Sequence, residues 1–411
     1  MKSEAYLDIV WRQFKKNRLA LVALWLLAPL FLLAIFAPLI ASDRPFVFHD
    51  GEQTIYPWVN SIFHPEEPVD FAFNMAMLAF VPWAIVSLGL NAWLKRRAMP
   101  GRRRLGLAFG LYALLIVGSC AVFSNDALSP GNAYWSRTFT EEQFQDPEQK
   151  YGIYPPVPFG PTEQDVTAIC KPPLYSKPAE EASGCNESFV HLLGTDSTGR
   201  DVLVEMIYGT RISLTVGFVA VGIYISIGVV VGAVAGYFGG MTDMLISRII
   251  ETVMLFPAFF LIMTLVALVG PSIYIIMVVI GLTRWAPTAR LVRGEVLKQR
   301  AIDYVAAARA MGTPHRRIIF RHILPNSLSP VMVTIPFGVA GAIIVEAGLS
   351  LLGFGVRPPT PSWGTLLKLG NENYHYWWLV IVPSIAIFFT VTIFNLVGSG
   401  MRDAMDPRLR M

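Results

Sequence analysis

Long apolar segments separated by polar ones recur from one end of the chain to the other. Windows of about 20 residues with few charged side chains identify eight candidate spans. The spans are residues 19–41, 71–94, 105–123, 211–238, 249–270, 272–289, 331–352 and 377–400. A helix of this length crosses a bilayer and satisfies its own backbone hydrogen bonds there. The pattern therefore predicts an all-α polytopic membrane protein with about eight transmembrane helices.

The amino-acid composition supports this fold class. Of the 411 residues, 54% are hydrophobic and 15% are charged, whereas soluble domains have about 25% charged residues. The net charge of +4 is small and gives no reason to expect nucleic-acid binding. Membrane lipid is the expected environment of the apolar surface.

The distribution of Lys and Arg predicts which side each loop faces, because positively charged loops stay in the cytoplasm. Residues 95–104 hold six Lys or Arg, and residues 290–330 hold eight against two acidic residues. Residues 42–70 and 124–210 together hold six Lys or Arg against nineteen Asp or Glu. We expect the first two segments in the cytoplasm and the last two outside. The cluster in 95–104 either only sets orientation or also contacts lipid headgroups.

An even number of spans places both termini on one side of the membrane. Positive charges precede the first span at Lys2, Arg12, Lys15, Lys16 and Arg18. A basic segment followed by a long apolar run without a small-residue cleavage motif is typical of an anchor, not of a removed signal peptide. We therefore expect segment 1–41 to be a cytoplasmic amino-terminus with the first span, and segment 401–411 to be a cytoplasmic tail.

Motifs for enzyme chemistry are not evident. Residues 194–201 have the glycine spacing of a phosphate-binding loop, but Arg200 and Asp201 replace the Lys and the Ser or Thr that would hold phosphate and magnesium. A turn leading into a helix is the expected structure there. No hydrolase elbow, paired-His metal motif or redox Cys pair is present in the sequence. We expect no enzyme activity, no catalytic residue, no metal and no cofactor in this chain.

A few polar residues are candidates for other roles. Cys170 and Cys185 lie in the predicted outer loop and are predicted to form a disulfide, with two free thiols as the alternative. Arg248 and Glu251 have the spacing of a structural ion pair on one helix face. Glu346, within a predicted span, is the candidate for contact with a permeating solute.

Glycines recur at four-residue spacing in the span at 211–238 and just beyond it. They are Gly228, Gly232, Gly236 and Gly240. Such a series allows another helix to approach closely. We favour a helix of the same chain as the partner, and a helix of another subunit is the alternative.

The basic segment 290–330 predicts a helix–turn–helix outside the bilayer. Residues 303–311 are strong helix formers, and Gly312 suits the left-handed position that ends a helix. Thr313 is expected to cap a second, amphipathic helix with Pro314 at its first position, which runs to Pro325. The first helix is lined with Ala, so it can enter a groove on another protein. The alternative is an amphipathic helix on anionic lipid.

This segment resembles the EAA signature of permease subunits of ABC importers. The matching run is Ala306-Ala307-Ala308, Gly312 and Ile323-Leu324-Pro325, with Ala306 where many members have Glu. Further motifs are similar to the second permease of dipeptide, oligopeptide and nickel importers. These motifs are residues 191–196, 199–201, 208–214, 236–240, 349–355 and 361–364. Residues 41–45 and 56–57 also resemble the branch for microcin-type and longer peptides.

The resemblance implies a six-span permease core with an inserted pair of spans at 71–123. Five core spans lie within 211–400, with the coupling loop at 290–330. The implied partners are a second permease subunit in a heterodimer, cytoplasmic ATPase subunits docked on residues 301–325, and an extracytoplasmic solute-binding protein. The residues assigned to ATPase coupling are Asp303, Ala306, Ala307, Ala308, Gly312, Arg316, Ile323 and Pro325.

The implied function is that of a permease subunit of an ATP-driven importer in the bacterial inner membrane. The subunit would form half of a pathway for peptides and operate by alternating access. Nickel or another small solute is the alternative substrate. An ion-coupled secondary carrier is the alternative of a different class, but it would need buried carboxylates and repeated broken helices, which the sequence does not clearly show.

Overall fold

The computed structural model describes residues 6–49, 54–65, 67–96, 99, 101–124, 151–176 and 190–405. Its helices before residue 125 are α1 (Tyr6–Phe14), α2 (Arg18–Ile35), α3 (Ala37–Ile40), α4 (Pro57–Phe63), α5 (Pro68–Arg96) and α6 (Gly101–Phe123). Those after it are α7 (Val202–Phe238), α8 (Gly240–Leu255), α9 (Ala258–Val269), α10 (Ile273–Thr283), α11 (Trp285–Arg300), α12 (Asp303–Ala310), α13 (His315–Arg317), α14 (Leu324–Ser327), α15 (Ser329–Leu351), α16 (Trp363–Glu372) and α17 (Trp377–Met405).

The predicted membrane architecture is confirmed. Within the described residues, seven helices are long and apolar enough to cross a membrane, with α10 and α11 taken as one. The bent pair α8–α9 provides an eighth when it is counted as a single span. This pair is bent by 83°, and Pro257 lies at the bend. Proline disfavours helical backbone in the residue before it, so the span predicted over 249–270 is not one straight helix.

Several predicted spans differ from the observed helices at their ends, and two of them show why. Helix α7 begins at Val202, nine residues before the predicted start, because Asp201 Oδ1 accepts a hydrogen bond from Val204 N at 3.0 Å and caps the helix. Helix α11 continues to Arg300, beyond the predicted end at residue 289. Its polar part is held by Arg293, whose Nη2 donates to Asp243 Oδ2 at 2.8 Å.

The chain divides into two compact units. The first comprises Met1–Pro29, Ser213–Pro358 and Ser362–Met411. Within it, α1 packs on α17 through Phe14 and Ala404, both of which are buried. Helix α17 also packs on α15 and α16. Helix α16 begins with a capping box, in which Thr365 N donates to Ser362 Oγ at 3.1 Å.

The second unit comprises Leu30–Ile212 and Pro359–Pro361. It contains two small antiparallel sheets, with strand order β2-β1-β3 in one and β4-β5 in the other. The strands are β1 (Val47–His49), β2 (Thr54–Ile55), β3 (Tyr151–Ile153), β4 (Tyr175–Ser176) and β5 (Val190–His191). In β1 and β3, Phe48 is opposite Gly152.

The additional helices α5 and α6 form a hairpin in the second unit. Trp83 Nε1 of α5 donates to Ala108 O of α6 at 2.7 Å, and Tyr112 Oη of α6 donates to Ala76 O at 2.9 Å. Between the helices, residues 97, 98 and 100 lie outside the described residues. Helix α6 is apolar, and none of the residues in its most apolar stretch is buried by the rest of the chain. This exposure is expected of a helix that faces lipid.

A buried arginine connects this hairpin to the first span. Arg211 of α7 is fully buried. Its Nη1 lies 2.8 Å from Asp70 Oδ1 at the start of α5, and its Nε donates to Ala34 O near the end of α2 at 2.6 Å. The guanidinium therefore satisfies both a carboxylate and a helix-terminal carbonyl group, which a buried charge requires.

The glycine motif at 194–201 forms the predicted turn into a helix. Gly194 and Gly199 have φ values of +79° and +81°. Asp196 Oδ1 accepts hydrogen bonds from Thr198 N and Arg200 N, and Arg200 Nη2 lies 2.9 Å from Asp196 Oδ2. Arg200 also lies 2.8 Å from Glu205 in the first turn of α7. The motif is thus an ion-paired turn at the amino end of α7.

Candidate coupling site

The segment assigned to ATPase coupling forms a helical hairpin, which we call the coupling hairpin (residues 303–327). Helix α12 ends at Ala310, and Gly312 follows two residues later with a φ of +73°. Thr313 N donates to Ala308 O at 3.1 Å, and Gly312 N donates to Arg309 O at 2.9 Å. These two bonds form a Schellman motif, which reverses the chain at the end of the helix.

The second half of the coupling hairpin differs from the predicted single α-helix. Pro314 precedes α13 instead of occupying its first position, and no side chain caps that helix. A π-helix then runs over Ile318–Ile323. The wider π turn lies directly before Pro325, whose ring would clash with the Arg321 carbonyl group in a regular α-helix. Helix α14 (Leu324–Ser327) follows directly, so the helical segment does not end at Pro325 as predicted.

One face of the coupling hairpin is buried against the ends of α7 and α11. The buried members are Ala233 and Tyr237 of α7, Val292 and Val296 of α11, Val331 of α15, and Val305, Ala308, Ile318, Ile319, Ile323 and Leu324 of the hairpin. Such a cluster fixes the hairpin to the ends of two long helices, because packed interiors transmit displacement.

The opposite face is exposed and presents small and apolar side chains beside charged ones such as Arg309 and Arg316. Ala306, Ala307 and Ala310 of α12 are exposed. Met311 at the turn is 78% exposed, and Phe320 in the π-helix is 62% exposed. Exposed apolar side chains such as Met311 and Phe320 surrounded by polar ones are typical of a protein interaction site.

The residues predicted for coupling therefore divide between the two faces. Ala308 and Ile323 lie in the buried cluster. The exposed residues are Asp303, Ala306, Ala307, Gly312, Arg316 and Pro325. Only the second group is available to another protein, whereas the first group supports the hairpin from within.

Sequence reasoning missed an aromatic contact at the tip of the coupling hairpin. Tyr237 Oη lies 2.6 Å from His315 Nδ1, a hydrogen-bond distance, and the Arg309 guanidinium lies 5.1 Å from the centre of the Tyr237 ring. Tyr237 stands at the end of α7, immediately before the Gly239–Gly240 interruption. The motif at 236–240 is recognisable in the sequence. Its separation of 78 residues along the chain from His315 gives no indication of the contact.

The glycine series of α7 packs on α11. A methyl group added at Gly232 would lie 2.5 Å from Ala289 O, and one added at Gly236 would lie 2.8 Å from Arg293 O. Gly228 lies against Thr288 in the same way. Gly240 is an exception to the predicted series. It begins α8 with a φ of +54°, and no atom lies within 4 Å of an added methyl group.

The remaining candidate residues have varied surroundings. Glu346 of α15 is fully buried, so it does not line an open surface, and Ser350 Oγ donates to its Oε1 at 2.8 Å.

Arg248 Nη1 lies 2.8 Å from Glu251 Oε2 on an exposed helix face, as the spacing predicts. Cys185 lies outside the described residues, so its bond to Cys170 remains a prediction. Among the described residues, no group of His, Cys, Asp and Glu has the arrangement of a metal site.

Comparison with known proteins identifies two family models. Residues 228–411 match the family described as binding-protein-dependent transport system inner membrane component. Residues 5–57 match the N-terminal TM domain of oligopeptide transport permease C. The two matches together include the first span and the coupling hairpin.

Individual relatives extend these matches. The oligopeptide transport system permease protein of Haemophilus influenzae is 43% identical over 54% of this chain and 71% of that protein. The dipeptide transport system permease protein of Alkalihalophilus pseudofirmus is 39% identical over 60% of this chain and 82% of that protein.

A third relative matches almost the whole chain. The peptidoglycan transport system permease protein of Agrobacterium fabrum is 29% identical over 97% of this chain and 92% of that protein. An alignment of this extent includes α5 and α6. The additional helix pair is therefore not peculiar to this chain, although it departs from the six-span pattern implied by the resemblance.

Proposed function

Because the chain belongs to the family of peptide transport system permeases, inner membrane components of binding-protein-dependent ABC importers, we propose that it forms half of a translocation pathway for peptides. It would operate by alternating access, with ATP hydrolysed on separate subunits. The full-length relative is named for peptidoglycan transport, so peptides derived from peptidoglycan belong among the substrates to be tested.

The observation that carries this proposal is the two-faced coupling hairpin. Its buried face joins the ends of α7 and α11, and its other face exposes Ala307, Ala310 and Met311. An ATPase subunit that holds the exposed face would move the hairpin when it binds or hydrolyses ATP. The buried cluster would pass that movement to α7 and α11. Movement of these helices would then open the translocation pathway to one side of the membrane and close it to the other.

We propose the partners and the orientation on the same basis. A second permease subunit would complete the pathway as a heterodimer, and a solute-binding protein would deliver peptide to the outer side. The basic segments 95–104 and 290–330 favour an orientation with both termini in the cytoplasm. The ATPase subunits would then meet the coupling hairpin on the cytoplasmic side of the inner membrane.

Uptake by the reconstituted complex tests the proposal. The complex, with its partner permease, ATPase subunits and binding protein, is placed in proteoliposomes and supplied with a library of peptides that includes peptidoglycan fragments. We expect peptide uptake that requires both ATP and the binding protein and persists when ion gradients are collapsed. Uptake that proceeds without ATP and follows an ion gradient would instead establish a secondary carrier.

A further inference from the structure

Arg284 is a charged residue in the middle of a transmembrane helix. It occupies the one-residue interruption between α10 and α11, with φ −100° and ψ 7°. At 1.5 Å per residue it lies about 17 Å along the helix from Ile273, in a hydrocarbon core about 30 Å thick. The neighbouring Gly341 of α15 lies about 15 Å from Leu351 at the end of its own helix. Both positions therefore lie near the middle of their spans.

The guanidinium group of Arg284 has no anionic partner within the described residues. It makes no ion pair and no hydrogen bond with any of them. Its side chain is half-buried. A charge directed at hydrocarbon is very unfavourable, so ionisable residues at this depth face a polar cavity or a partner. The exposed part of Arg284 therefore requires a polar neighbour that the described residues do not supply.

Tyr224 of α7 adds a second polar group to the same place. It is 6% exposed, and its hydroxyl makes no hydrogen bond with any of the described residues. Its hydroxyl lies against Gly338 of α15, and Arg284 Nη1 lies against Gly341 of the same helix. A guanidinium and a phenolic hydroxyl together present several hydrogen-bond donors and no negative charge. This combination suits an anion.

Two glycines of α15 leave room for these groups. A methyl group added at Gly341 would lie 2.9 Å from Arg284 Nη1, and one added at Gly338 would collide with the Tyr224 hydroxyl. Gly338 and Gly341 are one turn apart, so they lie on the same face of α15. The two polar groups therefore rest directly on the backbone of this helix.

We propose that Arg284 and Tyr224 form an anion-binding site for the C-terminal carboxylate of a peptide in the translocation pathway. This inference rests on the proposed function, because it takes the polar neighbour of Arg284 to be the pathway. A carboxylate matches the fork of guanidinium donors in a bidentate arrangement. All peptides with a free C-terminus share this carboxylate. The site would therefore bind peptides through their C-terminus, whatever their side chains.

The test compares two forms of one peptide in the complete reconstituted complex. The peptide is one that the wild-type complex imports, and its partner form carries a C-terminal amide. We expect Arg284→Gln to lower uptake of the carboxylate form about 10-fold or more, relative to the amide form, because one charge-assisted interaction is lost. Arg284→Lys, which keeps the charge, should lose less of this preference.

Two further variants separate recognition from general damage. Arg290→Gln removes an exposed arginine from the same helix, and it should leave the ratio of carboxylate to amide uptake unchanged. Gly341→Ala retains the guanidinium but displaces it, so it should reduce the ratio without any change of charge. If Arg284→Gln prevents assembly, Arg284→Lys and Gly341→Ala provide the same comparison.

Several outcomes would overturn the proposal. One is a ratio that stays the same in Arg284→Gln, Arg284→Lys and Gly341→Ala. Another is that the Arg284→Gln variant no longer binds the partner permease, while Arg284→Lys and Gly341→Ala keep the wild-type ratio of carboxylate to amide uptake. That result would identify Arg284 as part of an ion pair between subunits. The proposed function fails separately, since uptake without ATP would refute it whatever the ratio shows.

Discussion

Gly312 determines the direction in which the chain leaves α12. Its φ of +73° falls in the left-handed region, and no atom lies within 4 Å of an added methyl group. Space is therefore not the constraint at this position, and the backbone conformation is. A residue that tolerates positive φ should be accepted, whereas a β-branched residue should not.

Substitution at Gly312 tests this distinction. Gly312→Val should disturb the turn by about 1–2 kcal/mol and turn the second half of the coupling hairpin away from its position. Gly312→Asn is the matched control, because Asn adopts the left-handed conformation more readily. We expect both variants to assemble with the partner permease and only the valine variant to lose peptide-stimulated ATP hydrolysis. Equal hydrolysis by the two variants would contradict this role of the turn.

Single residues in contact across long sequence separations were the least predictable features. Arg211 and Tyr237 lie in apolar or motif segments, and their partners are brought to them by packing. The 1–41 segment, for example, gave no reason to pair Ala34 O with Arg211, yet the two lie 2.6 Å apart as donor and acceptor. Local patterns contain no information on such pairs.

Helices as elements were largely predictable from apolar length, but their ends were not. Hydrophobicity indicates where lipid surrounds a helix. The helix itself continues wherever its backbone hydrogen bonds are made and its side chains find partners. Helix α11 therefore extends through Arg293 to Arg300, where protein replaces lipid as its neighbour. The π-helix before Pro325 also escaped prediction, because a sequence does not show how strain from a proline is distributed.

The packing of α7 on α11 predicts different effects for two glycines of one helix. Gly232→Ala would place a methyl group against Ala289 O and should destabilise the complex by about 1–3 kcal/mol. Gly222→Ala is the control, since no atom lies within 4 Å of its added methyl group. Thermal unfolding of the detergent-solubilised complex measures both. A similar midpoint for the two variants would mean that the close approach of the helices does not contribute to stability.

At the scale of the whole molecule, the charges of the loops predict the orientation in the membrane. A reporter fused near residue 99 tests it, because the six Lys or Arg of segment 95–104 are costly to translocate. A fluorescent protein that folds only in the cytoplasm should be active there, and a phosphatase that requires the outer compartment should be inactive. The reverse pattern would move α5, α6 and their flanking loops to the opposite topology.

The central claim is that the coupling hairpin is held by an ATPase subunit. Ala307→Arg tests it most directly, since a long charged side chain cannot enter a close-packed groove without losing solvation. Asn373→Arg is the control, because it adds the same charge at an exposed position on the predicted outer side. The measurement is ATP hydrolysis stimulated by the peptide-loaded binding protein, together with the amount of ATPase subunit that co-purifies.

We expect Ala307→Arg to retain the partner permease and to lose about 10-fold of its affinity for the ATPase subunits, which corresponds to about 1.4 kcal/mol. Stimulated hydrolysis should fall with it, while Asn373→Arg should resemble the wild type. Normal co-purification and normal hydrolysis in Ala307→Arg would contradict the assignment of the coupling hairpin as the ATPase contact.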